Sequence, residues 1–382
     1  MTSILLVIIY LSFISLGLPD GLLGSAWPAM HTAIGASPTA AGTIAVIISC
    51  GTIISSLNAD RLIHRFGAGK VTFVSVAMTA FALFAFSMCR SYLQLCIFAL
   101  PYGLGAGAVD SALNNYVALH YKSRHMSWLH CFWGVGAAIG PYIMGHALTI
   151  GTWRTGYRMV GFLQSALTLI LLCSLPLWRR ADAAEKEEAR NVLSLKEAVS
   201  LPHAKALLAA FFLYCGIETS SGLWASSYLV QARGMDTVTA ASWAALFYIG
   251  ITAGRFVCGF ITEKLGDKRM ILLGNLIIAA GALVLFLPIS HTTALIGLIM
   301  IGLGCAPIYP SIIHSTPERF GKENSQSLIG VQMACAYAGS LVMPKLIGVI
   351  LGAVSFAVYP VLLEAMAVLF FFVMRMAEKK NS

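Results

Sequence analysis

The stretch LQLCIFALPYGLGAGAVDSALNNYVA, residues 93–118, decides the fold class of this chain. It runs for 26 residues with one charged side chain, Asp110. As an α-helix it would be about 39 Å long, at 1.5 Å per residue. A helix needs about 20 apolar residues to cross a hydrocarbon core about 30 Å thick. The stretch therefore predicts a transmembrane helix that carries a carboxyl group inside the membrane.

The rest of the chain has the same character. Of its 382 residues, 58% are hydrophobic and 11% are charged, and the mean hydropathy is +0.81. A soluble chain usually carries about 25% charged residues, and buried soluble helices keep polar faces that are scarce here. We expect an all-α polytopic membrane protein with twelve spans, near residues 3–29, 39–59, 71–89, 93–118, 127–149, 156–178, 205–230, 238–262, 270–289, 293–316, 325–352 and 355–377.

Basic residues concentrate in alternate links between these spans, and this bias indicates orientation. The links after spans 2, 4, 6, 8 and 10 and the C-terminal tail carry most of them. The opposite links carry only Arg90, Arg154, Arg158 and Arg233. We therefore expect a cell-membrane protein with both termini in the cytoplasm, without a cleaved signal peptide. The net charge of +9 is spread over many short loops, so it predicts topology and not nucleic-acid binding.

Short patterns repeat about 199 residues apart, which predicts two equivalent halves. We expect a six-helix bundle over 1–178, a charged cytoplasmic linker over 179–204 that includes a surface helix near 181–190, and a second six-helix bundle with a short cytoplasmic tail over 205–382. Duplicated membrane halves are typical of transporters that alternate one site between two sides of a bilayer. The repeated patterns are Phe66-Gly67 with Lys70 and Leu265-Gly266 with Lys268, Gly103-Leu104-Gly105 and Gly302-Leu303-Gly304, and Gly140 and Gly339.

Five stretches together resemble the major facilitator superfamily and, within it, the fucose permease-like branch of proton-linked sugar symporters. They are GLPDGLLGSAWP at 17–28, DR and RFG at 60–67, WLH with GP at 128–141, YCGIE at 214–218 and APIYPS at 306–311. The resemblance implies two pseudo-symmetric bundles and a cavity lined by spans 1, 4, 7 and 10. Two features depart from the branch. Ser56 and Asn58 stand where the loop signature usually has a leading glycine, and Gly140-Pro141 also resembles a motif of drug/proton antiporters.

Ionisable side chains inside the spans are the first candidates for function, because a charge at the bilayer centre costs about 2.5–3.5 kcal/mol on insertion scales. The resemblance puts Asp20, Asp110 and Glu218 on cavity-lining spans, so we expect proton coupling there. Asp20 corresponds to the acid that the resembled branch uses for this purpose. For Asp20, a structural ion pair or a water-linked helix acid is the alternative. Glu364, on a peripheral span, is expected to be structural.

Depth along the spans predicts two ion pairs. Asp110 and Arg255 lie at similar depth and could form a pair between the halves, and Asp20 and Lys345 also match. A charge swap of Asp110 and Arg255 tests the first pair. The loop with Asp60, Arg61 and Arg65, and its echo at 263–268, are expected to form the inner gate; a solvated basic loop that only fixes topology is the alternative.

A sugar presents apolar faces and a rim of hydroxyl groups, which suit aromatic rings with a few amide partners. The candidate substrate-binding residues are Trp27, Asn114, Asn115, Trp133, Trp224, Tyr309 and Gln332. Helix packing or anchoring at the membrane interface is the alternative for the aromatic residues.

The sequence thus predicts a secondary transporter, a symporter of a proton with a sugar or similar small polar solute. A proton-driven exporter of drugs or metabolites remains the alternative, and sodium could replace the proton. No catalytic motif indicates an enzyme, and the nine cysteines form no close pair that would suggest a metal site. We expect no cofactor, no nucleic-acid partner, a lipid bilayer around the protein and a monomeric state.

Overall fold

The structure is a computed structural model that describes residues 2–37, 40–185 and 193–378. Residues 186–192, part of the predicted linker and of its surface helix, lie outside the described residues. The helices are α1 Thr2–Gly17, α2 Leu22–Ala33, α3 Ala41–Phe66, α4 Ala68–Met88, α5 Tyr92–His120, α6 Ser123–Ile150, α7 Trp153–Glu185, α8 Leu195–Ser200, α9 Ala204–Gln231, α10 Thr237–Leu265, α11 Asp267–Phe286, α12 His291–His314, α13 Thr316–Phe320, α14 Lys322–Ala353 and α15 Tyr359–Glu378.

The all-α membrane class is confirmed. Among the described residues, eleven helical segments are long and apolar enough to cross a membrane, with α1 and α2 counted as one. The remaining predicted span, 127–149, lies within α6, which has 28 residues. The predicted orientation of the termini stays a prediction.

The first span is broken, although the hydropathy pattern indicates one continuous segment. α1 ends at Gly17 and α2 begins at Leu22. Pro19 lies between them and has no N–H group with which to continue the helical ladder. Two tight turns replace that ladder, with the Asp20 N–H donating to Gly17 O at 3.1 Å and the Leu22 N–H donating to Pro19 O at 3.0 Å. The break places irregular backbone in mid-span, at the position of Asp20.

The internal repeat of the sequence is also a repeat of structure. Gly67 and Gly266, 199 positions apart, have nearly the same backbone angles, φ 83° and ψ 153° against φ 77° and ψ 155°. A Cβ atom on Gly103 would lie 2.1 Å from Ile48 O, and one on Gly302 would lie 2.3 Å from Phe247 O. Positions 48 and 247 are again 199 apart. Equivalent glycines therefore bring equivalent helices into backbone contact.

The chain forms two compact units whose bounds differ from a simple division into sequence halves. Unit 1 comprises Met1–Tyr116, Leu129–Ser194 and Gly321–Ala334. Unit 2 comprises Val117–Trp128, Leu195–Phe320 and Cys335–Ser382. Each unit thus includes one short segment from the other half of the sequence. The predicted division at 1–178, 179–204 and 205–382 stays a prediction.

Candidate functional site

In unit 1, Asp20 lies in the break between α1 and α2, and its side chain is exposed. The indole Nε1 of Trp133, on α6, donates a hydrogen bond to Asp20 Oδ2 at 3.0 Å. Irregular backbone at membrane depth is tolerated where it lines a cavity or is buried in protein. The structure therefore brings together a predicted proton-coupling residue and a predicted substrate-binding residue, at the one interruption of the first span.

Close contact between helix backbones places Trp133 beside the break. A Cβ atom on Gly17 would lie 2.1 Å from Trp133 O. On the α6 side, a Cβ atom on Gly136 would lie 2.0 Å from Ile14 O, and one on Gly140 would lie 2.1 Å from Leu18 O. Small residues permit such contact between membrane helices. These glycines therefore set the distance from Trp133 to Asp20.

A second group of polar side chains in unit 1 connects α5 with α6. The group consists of Asp110 and Asn114 on α5 and His130 on α6, and all three side chains are buried. Asn114 Nδ2 donates to Asp110 Oδ1 at 2.8 Å. Because that bond leaves Asn114 Oδ1 as an acceptor, the nitrogen that meets it at 3.0 Å, His130 Nε2, must carry the hydrogen. His130 lies three residues before Trp133, one turn away on the same face of α6. The sequence analysis did not select His130, although its spacing from Trp133 is a usable signal.

Asn114 and Asn115 point to different helices, as neighbours about 100° apart on a helix should. The hydroxyl group of Ser325, on α14, donates to Asn115 Oδ1. One turn before Asn115 on α5, Ser111 Oγ accepts from Gln326 Nε2 at 3.2 Å. Gln332 is buried further along the same segment of α14. The sequence analysis missed Ser325 and Gln326, because neutral polar residues near a helix end do not stand out in an apolar chain.

In unit 2, the predicted coupling residue Glu218 forms an ion pair with Arg255. Arg255 Nη2 and Glu218 Oε1 are 3.1 Å apart, and the two side chains are 3% and 19% exposed. The sequence predicts a different pair, Asp110 with Arg255, which stays a prediction. Both residues of the observed pair were among the sequence candidates, but their pairing was not foreseen.

Tyr214, one turn before Glu218 on α9, adds a hydroxyl group to this arrangement. Its hydroxyl group contacts two acceptors, the Glu218 carboxyl group and Cys305 O, the latter at 2.8 Å. A tyrosine hydroxyl carries a single hydrogen but can also accept. The single hydrogen is therefore shared between Cys305 O and one oxygen of the Glu218 carboxyl group, whose other oxygen pairs with Arg255. The spacing of four residues between Tyr214 and Glu218 was a signal that the sequence analysis did not use.

Trp27, Trp224 and Lys345 belong to none of these groups, whereas the Tyr309 ring packs against that of Tyr214, with 6.3 Å between the centroids. Trp27 is buried in the apolar core of unit 1. Trp224 donates to Pro344 O at 2.9 Å. Tyr309 is half-buried, with its ring centroid 4.7 Å from that of Phe211. Lys345 is exposed on α14 and forms no ion pair with the described residues. These surroundings favour packing for Trp27 and Trp224.

The loops expected to form the inner gate connect residues from both halves of the sequence. In unit 1, Asp60 accepts a hydrogen bond from the hydroxyl group of Ser327, whereas Arg61 and Arg65 are exposed. In unit 2, Glu263 pairs with Arg124 at 3.3 Å and with Lys122 at 3.8 Å. The sequence analysis used Lys122 and Arg124 only to assign topology.

His314 forms a further contact between the two halves of the sequence. It reaches Asp267 at the start of α11 and Tyr121 in the loop between α5 and α6. His314 Nδ1 lies 2.6 Å from Asp267 Oδ2, and His314 Nε2 lies 3.2 Å from Tyr121 O. Nowhere in the described ranges do three His, Cys, Asp or Glu side chains converge as a metal site requires.

The chain is similar to known transport proteins over nearly its full length. The family model described as "Major Facilitator Superfamily" matches residues 9–244 and 206–382. The Saccharomyces cerevisiae protein "Bypass of stop codon protein 6" is 25% identical, over 94% of this chain and 79% of the relative. The Bacillus subtilis "Glucose/mannose transporter GlcP" is 22% identical, over 79% and 77%. The solved structure of the Escherichia coli fucose:proton symporter FucP shares the fold, with a TM-score of 0.78, 15% identity and 99% of both chains covered.

Proposed function

The chain belongs to the Major Facilitator Superfamily, and we propose that it is a proton-coupled symporter of a sugar or a similar small polar solute that works by alternating access. The observation that carries the proposal is the Asp20 carboxyl group in the break of the first span, bonded to the Trp133 indole at 3.0 Å. This arrangement puts a titratable group and an aromatic ring at the same place. Those are the two components that proton coupling and sugar binding require.

Protonation of Asp20 changes what the carboxyl group can bind. In the charged form it only accepts hydrogen bonds, and the Trp133 N–H satisfies one oxygen. With a proton, the group can donate to a solute hydroxyl oxygen and accept from another hydroxyl group at the same time. The indole ring supplies an apolar wall for the C–H face of a sugar. Proton and solute binding therefore favour each other at this position.

The energy of a buried charge couples binding to closure of the cavity. An unprotonated, unpaired carboxylate in a dry cavity costs several kcal/mol, so closure around Asp20 is easier once a proton has bound. Asp110 with Asn114 and His130, and Glu218 with Arg255 and Tyr214, hold two further carboxyl groups in hydrogen-bonded surroundings. We assign to these groups the transfer of the proton between the two sides of the membrane.

The names of two similar proteins support this proposal. GlcP is named as a glucose/mannose transporter, and FucP as a fucose:proton symporter. Their identities with this chain, 22% and 15%, do not specify a shared cargo. The proposal therefore names a solute class and not one sugar.

Purified protein in liposomes tests the proposal directly. We expect one or more members of a panel of hexoses, pentoses and uronates to drive proton uptake, and an imposed proton gradient to drive accumulation of that solute. Asp20→Asn keeps the size and hydrogen-bonding capacity of the side chain but cannot titrate. It should abolish accumulation against a gradient while exchange of solute across the membrane persists.

Glu364→Gln is the matched control, because it makes the same chemical change to an intramembrane acid on α15, a helix that carries none of the three proposed coupling residues. It should keep proton-driven accumulation. Solute accumulation that survives in Asp20→Asn would refute the role of Asp20. Extrusion of cationic dyes without any response to the solute panel would replace the symporter proposal with an exporter.

A further inference from the structure

A cavity of about 160 Å³ lies in unit 2 between α11 and α15. Its walls are apolar and come from both helices: Ile271, Leu272, Phe370, Phe371 and Met374. One end is charged, and it lies where α11 begins and α15 ends. The charged lining residues are Lys268, Arg269, Arg375 and Glu378. The cavity thus combines a long apolar wall with a polar end.

The polar end carries more positive than negative charge. Glu378 is the one carboxylate among the lining residues, and its oxygens lie 3.3 Å from Lys268 Nζ and 3.9 Å from Arg375 Nη1. Arg319, on α13, reaches the same carboxyl group at 4.0 Å. With Arg269, the lining alone has three cations for one anion. The side chains of Lys268 and Arg375 are 64% and 57% exposed, so they remain accessible to a ligand.

Contacts between α11 and α15 hold the walls in place. Asn275 Nδ2 donates to Ala367 O at 3.1 Å, which ties the deep end of the cavity together. The Arg375 guanidinium lies 5.3 Å from the centre of the Phe371 ring, which keeps that cation at the cavity mouth. The apolar surface continues outward past the cavity through exposed Leu272, Leu276 and Phe372. Those side chains lie on membrane-spanning segments, so they face the place where lipid chains run.

The depth of the charged end matches that of a lipid headgroup. From Arg269 to Phe286, at the other end of α11, the helix rises about 26 Å, close to the thickness of a hydrocarbon core. The cations therefore lie at one face of the membrane, and the positive-inside bias predicts that this is the cytoplasmic face. That leaflet carries the anionic lipids, and basic pockets between helices at that face bind their headgroups.

We propose that this cavity binds one anionic phospholipid, with its phosphate at Lys268, Arg269 and Arg375 and an acyl chain along the walls of α11 and α15. The proposal does not depend on the transported solute. A soluble phosphate would satisfy the cations but not the apolar wall, and a zwitterionic lipid would satisfy the wall but bring no net charge. Both are therefore expected to bind more weakly.

Native mass spectrometry of the full chain in detergent tests the proposal, with phosphatidylglycerol, phosphatidylcholine and inorganic phosphate as separate probes. We expect one retained phosphatidylglycerol, with much less retention of the other two. Each basic residue near a membrane surface contributes roughly fivefold to binding of an anionic lipid. The triple variant Lys268→Gln, Arg269→Gln and Arg375→Gln should therefore weaken binding about 100-fold.

A control with the same loss of charge is Lys70→Gln, Lys205→Gln and Lys264→Gln, three exposed lysines outside the cavity. It should keep the bound lipid. Glu378→Gln supplies an effect of opposite sign, because removing the one carboxylate should tighten lipid binding several-fold. A tighter complex cannot result from misfolding.

A second measurement needs no variant. A phosphatidylglycerol with a photoreactive group on its acyl chain should crosslink wild-type protein at peptides from α11 and α15. The proposal is overturned if the crosslinks fall elsewhere, if phosphatidylcholine or phosphate is retained equally well, or if the control triple loses the lipid as fully as the cavity triple.

Discussion

At the scale of single residues, Glu218 and Arg255 form an ion pair but differ in whether the side chain can lose its charge. The Arg255 guanidinium does not lose its proton at any ordinary pH, and the residue is 2% exposed. Glu218 can accept a proton, and its side chain is 19% exposed. The pair therefore joins a fixed charge with an adjustable one. Only the carboxyl partner can become neutral when the pair is broken.

This asymmetry predicts unequal effects of removing the two partners. Breaking a buried ion pair costs about 3–5 kcal/mol when it leaves a charge behind. Glu218→Gln leaves the buried guanidinium without the Glu218 carboxylate and should approach that cost. Arg255→Met leaves a carboxyl group that can protonate, so its cost should be clearly smaller. Unfolding temperatures of the purified variants in detergent measure the difference.

The double variant Glu218→Gln with Arg255→Met serves as the control, because it removes both charges. It should be more stable than Glu218→Gln alone. Equal losses from the two single variants, or simple additivity in the double variant, would contradict the assignment of a fixed charge to Arg255 and an adjustable one to Glu218.

The sequence located these acids but not every side chain around them, for a physical reason. A carboxyl group in an apolar span is conspicuous because it is costly. That cost is enough to single out Asp20, Asp110 and Glu218. His130 and Tyr214 are less conspicuous, because a neutral imidazole and a tyrosine hydroxyl group cost less to bury than a carboxylate. Their positions follow only from the fold, which places His130 Nε2 3.0 Å from Asn114 Oδ1 and brings the Tyr214 hydroxyl group into contact with Glu218.

At the scale of elements, the contact between α1 and α6 depends on glycines that have no room for a methyl group. Gly136 would place a Cβ atom 2.0 Å from Ile14 O, which is backbone and cannot rotate away. Gly145, about two and a half turns further along the same helix, has nothing within 4 Å of such an atom. One helix thus contains a constrained glycine and a free one in the same secondary structure.

Gly136→Ala should therefore separate α1 from α6, whereas Gly145→Ala should not. Overpacking of this kind costs about 1–3 kcal/mol. The shift should also lengthen the bond from Trp133 to Asp20, so solute binding should weaken together with stability. Gly145→Ala should be neutral or stabilising by up to about 1 kcal/mol, because alanine favours the helix. Thermal unfolding and solute binding, measured on both variants, give the comparison.

If both alanine variants behaved alike, glycine at position 136 would matter through helix propensity and not through contact with α1. If Gly136→Ala lost stability but bound solute normally, the contact would be structural and would not set the distance between Trp133 and Asp20.

The hydropathy pattern predicted most of these elements, since span length and apolar content follow from bilayer thickness. It did not predict the break at residues 18–21. Pro19 is a weak indication by itself, because Pro28, Pro101 and Pro141 lie inside continuous helices. The break depends on tertiary contacts instead, including Gly21, where a Cβ atom would meet the Pro141 ring at 2.7 Å. Such contacts are not readable from one sequence.

At the scale of the whole molecule, each compact unit contains a short segment from the other half of the sequence. Arg124 belongs to the first half and Glu263 to the second, yet both lie in unit 2, 3.3 Å apart. Their side chains are 41% and 31% exposed. A pair so exposed to solvent contributes about 0.2–1 kcal/mol, at most about a fivefold bias between two states. A pair this weak can break in every cycle of the proposed alternating-access mechanism.

The pair should therefore tune the balance between the two states of the carrier. It lies at helix ends that the basic residues predict to be cytoplasmic, so losing it should favour the inward-open state. Glu263→Lys puts three cations together and should reduce transport several-fold. Glu263→Lys combined with Arg124→Glu restores an ion pair of reversed sense and should recover most of the rate. Glu323→Lys, a charge reversal at the exposed start of α14, is the control and should change the rate little.

Labelling of a single cysteine separates a shift between states from simple damage. Gly24 is exposed just beyond the break of the first span, and a side chain there meets nothing within 4 Å. In a background without the native cysteines, Gly24→Cys should react more slowly with an outside, impermeant maleimide when Glu263→Lys is present. The reaction rate should return with Arg124→Glu. Slower transport with unchanged labelling would mean that the pair stabilises the fold without biasing the two states. Failure of the double variant to recover either signal would remove the pair from the gate.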